Sequence, residues 1–332
     1  MSTDIIRSAV IGYGGAFNMG KMHADQMIAA GMPFVAACDV DASRMVQATQ
    51  DFPGIRTYTS VDDLAADPDV DLVVVILPHN LHASVSIQLL NAGKHVVVEK
   101  PFCITLEEAD AMIEASERNG KMLSVFHNRR HDGDYLAIKE AIDGGLIGEL
   151  FHIEACMGGY DKPGTWWRSD KAISGGAMYD WGAHIIDWVL QIIPEEIAGV
   201  DGYYHKRHWT HTNEDHTELI IRFKSGKTAQ VEISSLAAIG KDRWRFLGTL
   251  GAIRGFNWDK LEAVVDHNGR NAKIELRAKE TNWQAFYNNI AGHLMRGEDL
   301  EVKATQARRT IGVIEAAEQS SAAQKTFVPR YV

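Results

Sequence analysis

The stretch DLVVVILP, Asp71 to Pro78, is apolar at nearly every position. A strand with one face in water alternates apolar and polar side chains. A strand apolar on consecutive positions is buried on both faces, which happens in parallel sheets covered by helices on each side. The surrounding sequence fits that demand. SAVIGYG, PFVAACD, HVVVEKP and KMLSVF are further short apolar runs within the first ~125 residues. Helical segments separate them: about Gly20 to Ala30, from about Ala42 onward, His82 to Asn91, and TLEEADAMIEASERNG. In the last, Thr105 with Glu108 three residues on is a capping box, and Gly120 is the stop. Strand–helix alternation at this spacing predicts a doubly wound parallel sheet with right-handed crossovers.

The rhythm changes after about Asn128. One helix (DYLAIKEAIDGG) leads into ELFHIEACM, then a loop rich in Trp and Gly, then a helix from about Gly176 to Ile192. From Val200 to Glu275 strand follows strand, with turns such as KSGK and DHNGR, and two helices close the chain. A chain of 332 residues is long for one core. The expected architecture is therefore α/β plus α+β: a doubly wound parallel sheet over residues 1–126, and a domain on a mostly antiparallel open sheet over 127–332.

The net charge is −10, with acids spread along the chain. That argues against nucleic acid or an anionic membrane as the main partner, though a local loop can still hold phosphate. The three cysteines form no C-x-x-C pair and are read as reduced. No signal-peptide layout opens the chain and no run of ~18 apolar residues exists, so a cytoplasmic location is expected.

The first strand runs into IGYGGAFNMGKMH. Gly12 and Gly14 fit the first two glycines of G-x-G-x-x-G, but Phe17 stands where the third belongs and Gly20 comes three residues late. A nucleotide loop needs glycines for a tight turn and a helix N-terminus aimed at the pyrophosphate, and a longer turn removes neither. The loop residues Gly12, Gly14, Gly15, Phe17, Asn18 and Gly20 are thus candidate NAD contacts. Asp39 ends the second strand, where an acid accepts from the adenosine ribose hydroxyls and repels a 2′-phosphate. NAD is favoured over NADP on that ground; the competing reading makes Asp39 a strand cap and leaves Arg44 to receive a phosphate.

Two further stretches are specific. LPHNLHASVSIQLLNAGKHVVVEKP, Leu77 to Pro101, resembles the central motif pair of the glucose–fructose oxidoreductase / inositol dehydrogenase / MocA family, and SGGAMYDWGAHIID, Ser174 to Asp187, resembles its D-x-x-x-H signature. His23 matches that family's G-x-x-H. The resemblance spans nearly the whole chain and implies a Rossmann domain, bound NAD and oxidation of a secondary hydroxyl on a sugar, sugar acid or cyclitol. His184 is then the acid/base, Asp180 its partner or a substrate ligand, and Lys100 the electrostatic third member. It also implies a cis bond before Pro101, and nucleotide contacts from Leu77, Pro78, His79, His82, Glu99 and Lys100. A homodimer or homotetramer packed through the antiparallel sheet is implied as well. Two departures stand out: the insertion Ala16–Met19, and His79 where the family more often has Asn.

The residues are compatible with those roles. Taken bare, Lys100 reads equally as a solvated surface lysine, Asp180 and His184 as a helix-surface or capping pair, and Trp166 and Trp167 as core or subunit-contact residues. Lys100 follows the fifth strand at its carboxyl end, where open α/β sheets bind ligands, and can stabilise a developing oxyanion. Asp180 and His184 are four apart, on one face of a helix, which suits an imidazole proton acceptor beside a carboxylate. His127, Arg130, Trp166, Trp167 and Arg168 are candidate substrate residues in a pocket expected between the domains. Trp faces suit the C–H surface of a sugar ring; Arg and His suit hydroxyls or a carboxylate. YHKRHWTHTNEDH, Tyr204 to His216, holds four histidines, but no cysteine joins them and two cations interrupt them, so no metal is expected. Two other activities stay open: an NAD-retaining hydrolase or lyase that oxidises a sugar only transiently, and a nucleotide-sensing regulator.

Overall fold

A computed structural model describes residues 5–14 and 18–331 of the chain. The strands read as buried on both faces are fully buried there: Val73, Val74 and Val75, and Val96, Val97 and Val98, expose none of their surface. In chain order the first part holds β1 (Ser8–Ile11), α1 (Met19–Ala29), β2 (Phe34–Cys38), α2 (Ala42–Asp51), β3 (Arg56–Tyr58), α3 (Val61–Ala66), β4 (Leu72–Val75), α4 (His82–Asn91), β5 (His95–Val98), α5 (Leu106–Asn119) and β6 (Leu123–Val125). The six strands form one parallel sheet in the order β3-β2-β1-β4-β5-β6. The order reverses between β1 and β4, which opens a crevice at the carboxyl ends of those strands. The predicted capping box of α5 is present in both its bonds, and Gly120 closes the helix in the left-handed conformation.

The second part holds α6 (Gly133–Asp143), β7 (Leu150–Gly158), α7 (Lys171–Ser174), α8 (Trp181–Ile192), β8 (Ile197–His205), β9 (His216–Phe223), β10 (Thr228–Ser234), β11 (Trp244–Gly248), β12 (Gly251–Gly255), β13 (Lys260–His267), β14 (Arg270–Arg277), α9 (Gln284–Arg296) and α10 (Ala304–Ala323). Its eight strands run β14-β13-β12-β11-β7-β10-β9-β8, antiparallel throughout except for β7 beside β10. Helix α8 packs on β7 and β10. It begins at Trp181 rather than near Gly176, because the backbone at Gly176 (φ 130°) and Asp180 (ψ −89°) is not helical.

The chain forms two compact units: Met1–His127 with Trp283–Arg308, and Asn128–Asn282 with Arg309–Val332. A single cut after residue 126 misses the return of Trp283–Arg308 to the first unit. That return is physical: Gln284 donates to the Gln26 carbonyl (2.9 Å), and Ser124 donates to that of Val302 (2.8 Å). Among the described residues, no helix is long and apolar enough to cross a membrane.

Candidate functional site

The first candidate site lies along the carboxyl edge of the parallel sheet. Gly12 (φ 91°) and Gly14 (φ 77°) turn the chain after β1. A Cβ on Gly12 would overlap the carbonyl oxygen of Ile76, so only glycine lets the turn lie against the end of β4. Gly20, the late glycine, sits in the first turn of α1, where a Cβ would stand 2.9 Å from the Tyr13 ring and 3.2 Å from the Gly12 carbonyl. It provides the close helix–strand contact that the third glycine of a dinucleotide loop provides, three residues later in the chain. Asn18 caps α1 in the left-handed conformation without a side-chain hydrogen bond, and the first turn holds no acid. The positive end of α1 is therefore suited to a diphosphate. Gly15 and Phe17 lie outside the described residues.

Asp39 is buried, and its carboxylate already organises this edge. Oδ2 accepts from the Tyr13 N–H (3.1 Å) and from Arg44 (3.1 Å); Oδ1 accepts from the Asp41 N–H (2.9 Å). Arg44 also lies 3.6 Å from Asp41. Asp39 thus caps its strand and holds the glycine turn, and Arg44 is paired with it.

At the ends of β4 and β5 the side chains brace backbone. His82 is fully buried, with Nδ1 2.8 Å from the Pro101 carbonyl and Nε2 2.9 Å from that of Leu77. Burial holds its pKa below the ordinary imidazole value, so the neutral ring donates to one carbonyl at a time. His82 therefore ties the ends of two strands together. His79, equally buried, lies with its ring 5.6 Å from that of His82. Glu99 is also turned inward: it accepts from the Lys100 N–H (2.9 Å) and meets His23 Nε2 at 3.0 Å, while His23 Nδ1 lies 2.6 Å from the Tyr287 hydroxyl. Burial pushes the Glu99 carboxyl up, but His23 and the Lys100 charge more than offset it and hold the pKa below the usual range. With Glu99 ionised, His23 Nε2–H donates to it, and His23 Nδ1 pairs with the Tyr287 hydroxyl. This chain fixes the backbone at Lys100, whose bond to Pro101 is cis. His127 lies buried just past β6.

The second candidate site is the start of α8 in the second unit. Asp180 occupies the cap position and His184 the first turn. His184 is 5% exposed, between the rings of Trp181 (5.7 Å) and Trp188 (6.3 Å). The structure brings together four residues singled out from the sequence. Arg168 donates to Asp180 (2.9 Å) and lies over Trp166 (5.2 Å) and Trp167 (5.0 Å). Arg130, by contrast, is buried and held bidentately by Asp187, at 2.8 and 2.6 Å. That ion pair is built on α8 itself and commits the Arg130 Nε and one terminal nitrogen to Asp187.

Sequence reasoning missed a second aromatic group. Trp258, in the turn between β12 and β13, lies 5.6 Å from Trp181. The Arg243 guanidinium is 3.4 Å from the centre of the Trp258 ring, and that of Arg129 is 4.9 Å from it. Arg129 pairs with Asp132 (2.9 Å) and Arg243 with Asp134 (2.7 Å). Burial pulls the Arg243 guanidinium down to about 10, with Asp134 opposing. No local pattern marks Trp258; only the fold carries it to α8.

The histidine-rich segment folds around a carboxylate. Asp215 is buried and accepts from Lys206 (2.5 Å) and from the N–H groups of Arg207 (2.5 Å) and His208 (2.6 Å); His211 Nε2 lies at 3.3 Å. Burial raises its pKa, but Lys206 and the two N–H groups outweigh that and hold it at about 2. Among the described residues, no group of three or more His, Cys, Asp or Glu is placed to hold a metal.

Comparison with known proteins agrees with this anatomy. The family described as oxidoreductase family, NAD-binding Rossmann fold (GFO_IDH_MocA) matches residues 6–127, and the GFO/IDH/MocA C-terminal domain matches 135–254. An uncharacterized oxidoreductase of Rhizobium meliloti is 31% identical, over 96% of this chain and 97% of its own. A scyllo-inositol 2-dehydrogenase (NADP(+)) of Bacillus subtilis is 27% identical over 86% of each. A solved NAD-binding protein from Listeria innocua superposes with a TM-score of 0.89 at 30% identity, over 98% of this chain and 97% of the other.

Proposed function

The chain belongs to the GFO/IDH/MocA family of NAD-binding oxidoreductases, and from that premise we propose that it moves a hydride between nicotinamide and a secondary hydroxyl or keto carbon of a sugar, sugar derivative or cyclitol. The observation that supports this reading most is the nucleotide edge: Gly12 and Gly20 keep the turn and α1 close enough for a diphosphate, and Lys100 stands at the end of the neighbouring β5. Bound there, the nicotinamide supplies the hydride acceptor or donor. The chain's own residues handle the rest. Lys100, its backbone fixed by Glu99, stabilises negative charge on the reacting oxygen. His184 takes the hydroxyl proton and returns it in the reverse direction, with Asp180, four residues earlier at the cap of α8, as its partner or a substrate ligand.

We further infer that NAD is preferred over NADP. At the end of β2 two carboxylates, Asp39 and Asp41, face one cation, Arg44, so a 2′-phosphate enters a region of net negative charge. The Bacillus relative carries NADP in its name, so the preference rests on Asp39, Asp41 and Arg44 of this chain alone.

The test is to mix the protein with NAD and, separately, NADP, and a panel of cyclitols, aldoses and anhydro-sugars, following the near-ultraviolet absorbance of reduced nicotinamide. A steady rise with one stereochemical group, faster with NAD, is expected. Bond cleavage that leaves the nicotinamide unchanged with every compound overturns the dehydrogenase reading.

A further inference from the structure

Resting on that reading, we propose that the second unit recognises an uncharged sugar or cyclitol ring rather than a sugar acid or sugar phosphate, with Trp258 and Trp181 forming a stacking platform beside His184. Four arginines touch α8, its cap residue or its tryptophans, and a cluster of that kind invites an anionic substrate. Each, however, has an aspartate of its own: Arg129 with Asp132, Arg130 with Asp187, Arg168 with Asp180, Arg243 with Asp134. Each of the four cations thus has a carboxylate oxygen within 2.9 Å. An entering carboxylate or phosphate would give up its water without meeting net positive charge, and would lie near four anions already fixed.

The same arginines serve a different purpose well. Guanidinium planes stack on aromatic faces, and Arg243 and Arg129 both lie against the Trp258 ring while Arg129 also lies 4.6 Å from the centre of Trp181. The Arg243 side chain is 7% exposed, whereas Trp258 is 40% exposed. The cation is the support, and the ring is what faces solvent. Trp258, Trp181 and His184 form a continuous run of rings at 5.6 and 5.7 Å. Trp166, 38% exposed and tilted against Trp167 at 5.8 Å, stands over Arg168 in the same manner. An exposed indole face such as Trp258, one ring removed from the proton acceptor, suits the apolar C–H face of a hydroxylated ring. Tryptophan contacts do not require a charge on the ligand, and the paired arginines disfavour one.

The experiment uses the full chain loaded with NAD and matched compounds: D-glucose against D-glucuronate and D-glucose 6-phosphate, and myo-inositol and other aldoses, each against its phosphate or acid. Two readings are taken: quenching of tryptophan fluorescence for binding, and nicotinamide absorbance for turnover. The proposal expects the neutral member of the preferred set to exceed its charged partners at least about 100-fold in kcat/KM, and to bind where they do not. A charged member equal to or better than its neutral partner overturns the proposal while leaving the dehydrogenase reading intact. Absence of both binding and turnover across the panel overturns that reading, and this one with it. Trp258→Ala is expected to raise KM about tenfold or more with kcat nearly unchanged, and Trp258→Phe to restore it. An unchanged KM in Trp258→Ala removes Trp258 from the site.

Discussion

The two candidate sites are built in opposite ways. At the nucleotide edge of the first unit, side chains serve the backbone: Asp39 holds the N–H groups of Tyr13 and Asp41, His82 brackets two carbonyls, and Glu99 holds the N–H of Lys100. Around α8 in the second unit, side chains serve one another through four arginine–aspartate pairs and stacked tryptophans. On the proposed reading, the cofactor common to the family would be held by main-chain geometry that few substitutions can alter. A ligand peculiar to one member is left to side chains that can change singly. The contrast says where to look for cofactor and where for substrate.

The largest expected effect separates chemistry from binding on each side. Lys100→Ala and His184→Ala should each lower turnover by roughly 10²–10⁴-fold, the usual worth of one proton-transfer or electrostatic group. NAD affinity measured by calorimetry should stay within a few-fold in both. Retained turnover in either variant removes that residue from its assigned role.

Next comes the pairing itself. Asp187→Asn leaves Arg130 buried beside an uncharged amide, a loss of about 3–5 kcal/mol. The thermal transition should drop well below that of the native chain while NAD still binds the folded protein. A cost under ~1 kcal/mol would show that ion pairs do not hold the second unit.

A third test uses acid. His95, at the start of β5, accepts the Met122 N–H through Nδ1, and burial aided by the Lys121 charge lowers its pKa from 6.5 to about 4. Its folded-state pKa is depressed, so the unfolded chain binds the proton first. Stability should therefore fall as pH drops from about 6.5 toward 4, by on the order of 3 kcal/mol. His95→Gln should flatten that slope in pH-dependent denaturation. An unchanged slope assigns the acid sensitivity to other groups.

The smallest effect sharpens cofactor choice. Asp39→Ala removes a carboxylate that both orders the glycine turn and repels a 2′-phosphate. NAD affinity should weaken about tenfold, close to 1.4 kcal/mol, and the margin over NADP should narrow. An unmoved NAD-to-NADP ratio places discrimination elsewhere than Asp39.

The same contrast explains what could be read from the amino acids alone. Buried parallel strands announce themselves by unbroken apolar runs, so β1, β2, β4, β5 and β6 were legible, as was the cap of α5 at Thr105 and Glu108. The edge strand β3 is only three residues long and exposes Arg56 and Thr57, so it carries no such run. The role of Gly20 was half legible: its presence was plain, but its contact with Tyr13 depends on how α1 leans on β1. Asp180, Arg168, Trp166 and Trp167 are near neighbours in sequence and could be grouped there. Trp258 comes to α8 from the β12–β13 turn and Arg243 from the position just before β11, and no spacing rule links them to His184. His23 fitted a motif, yet its buried bond to Glu99 and to Tyr287, 264 positions along, needed coordinates.

That last bond sets a timetable. The bed under Lys100 is finished by Tyr287, and the first unit is completed only by Trp283–Arg308. During synthesis at roughly 5–20 residues per second, residues 1–127 leave the ribosome about 8–30 s before α9 does. For that interval His23 lacks its hydroxyl partner, and the faces that α9 covers stay wet. The nascent first unit is a sheet waiting for its last helix, and expressing residues 1–127 by themselves should yield a less stable, aggregation-prone fragment rather than a small nucleotide-binding domain.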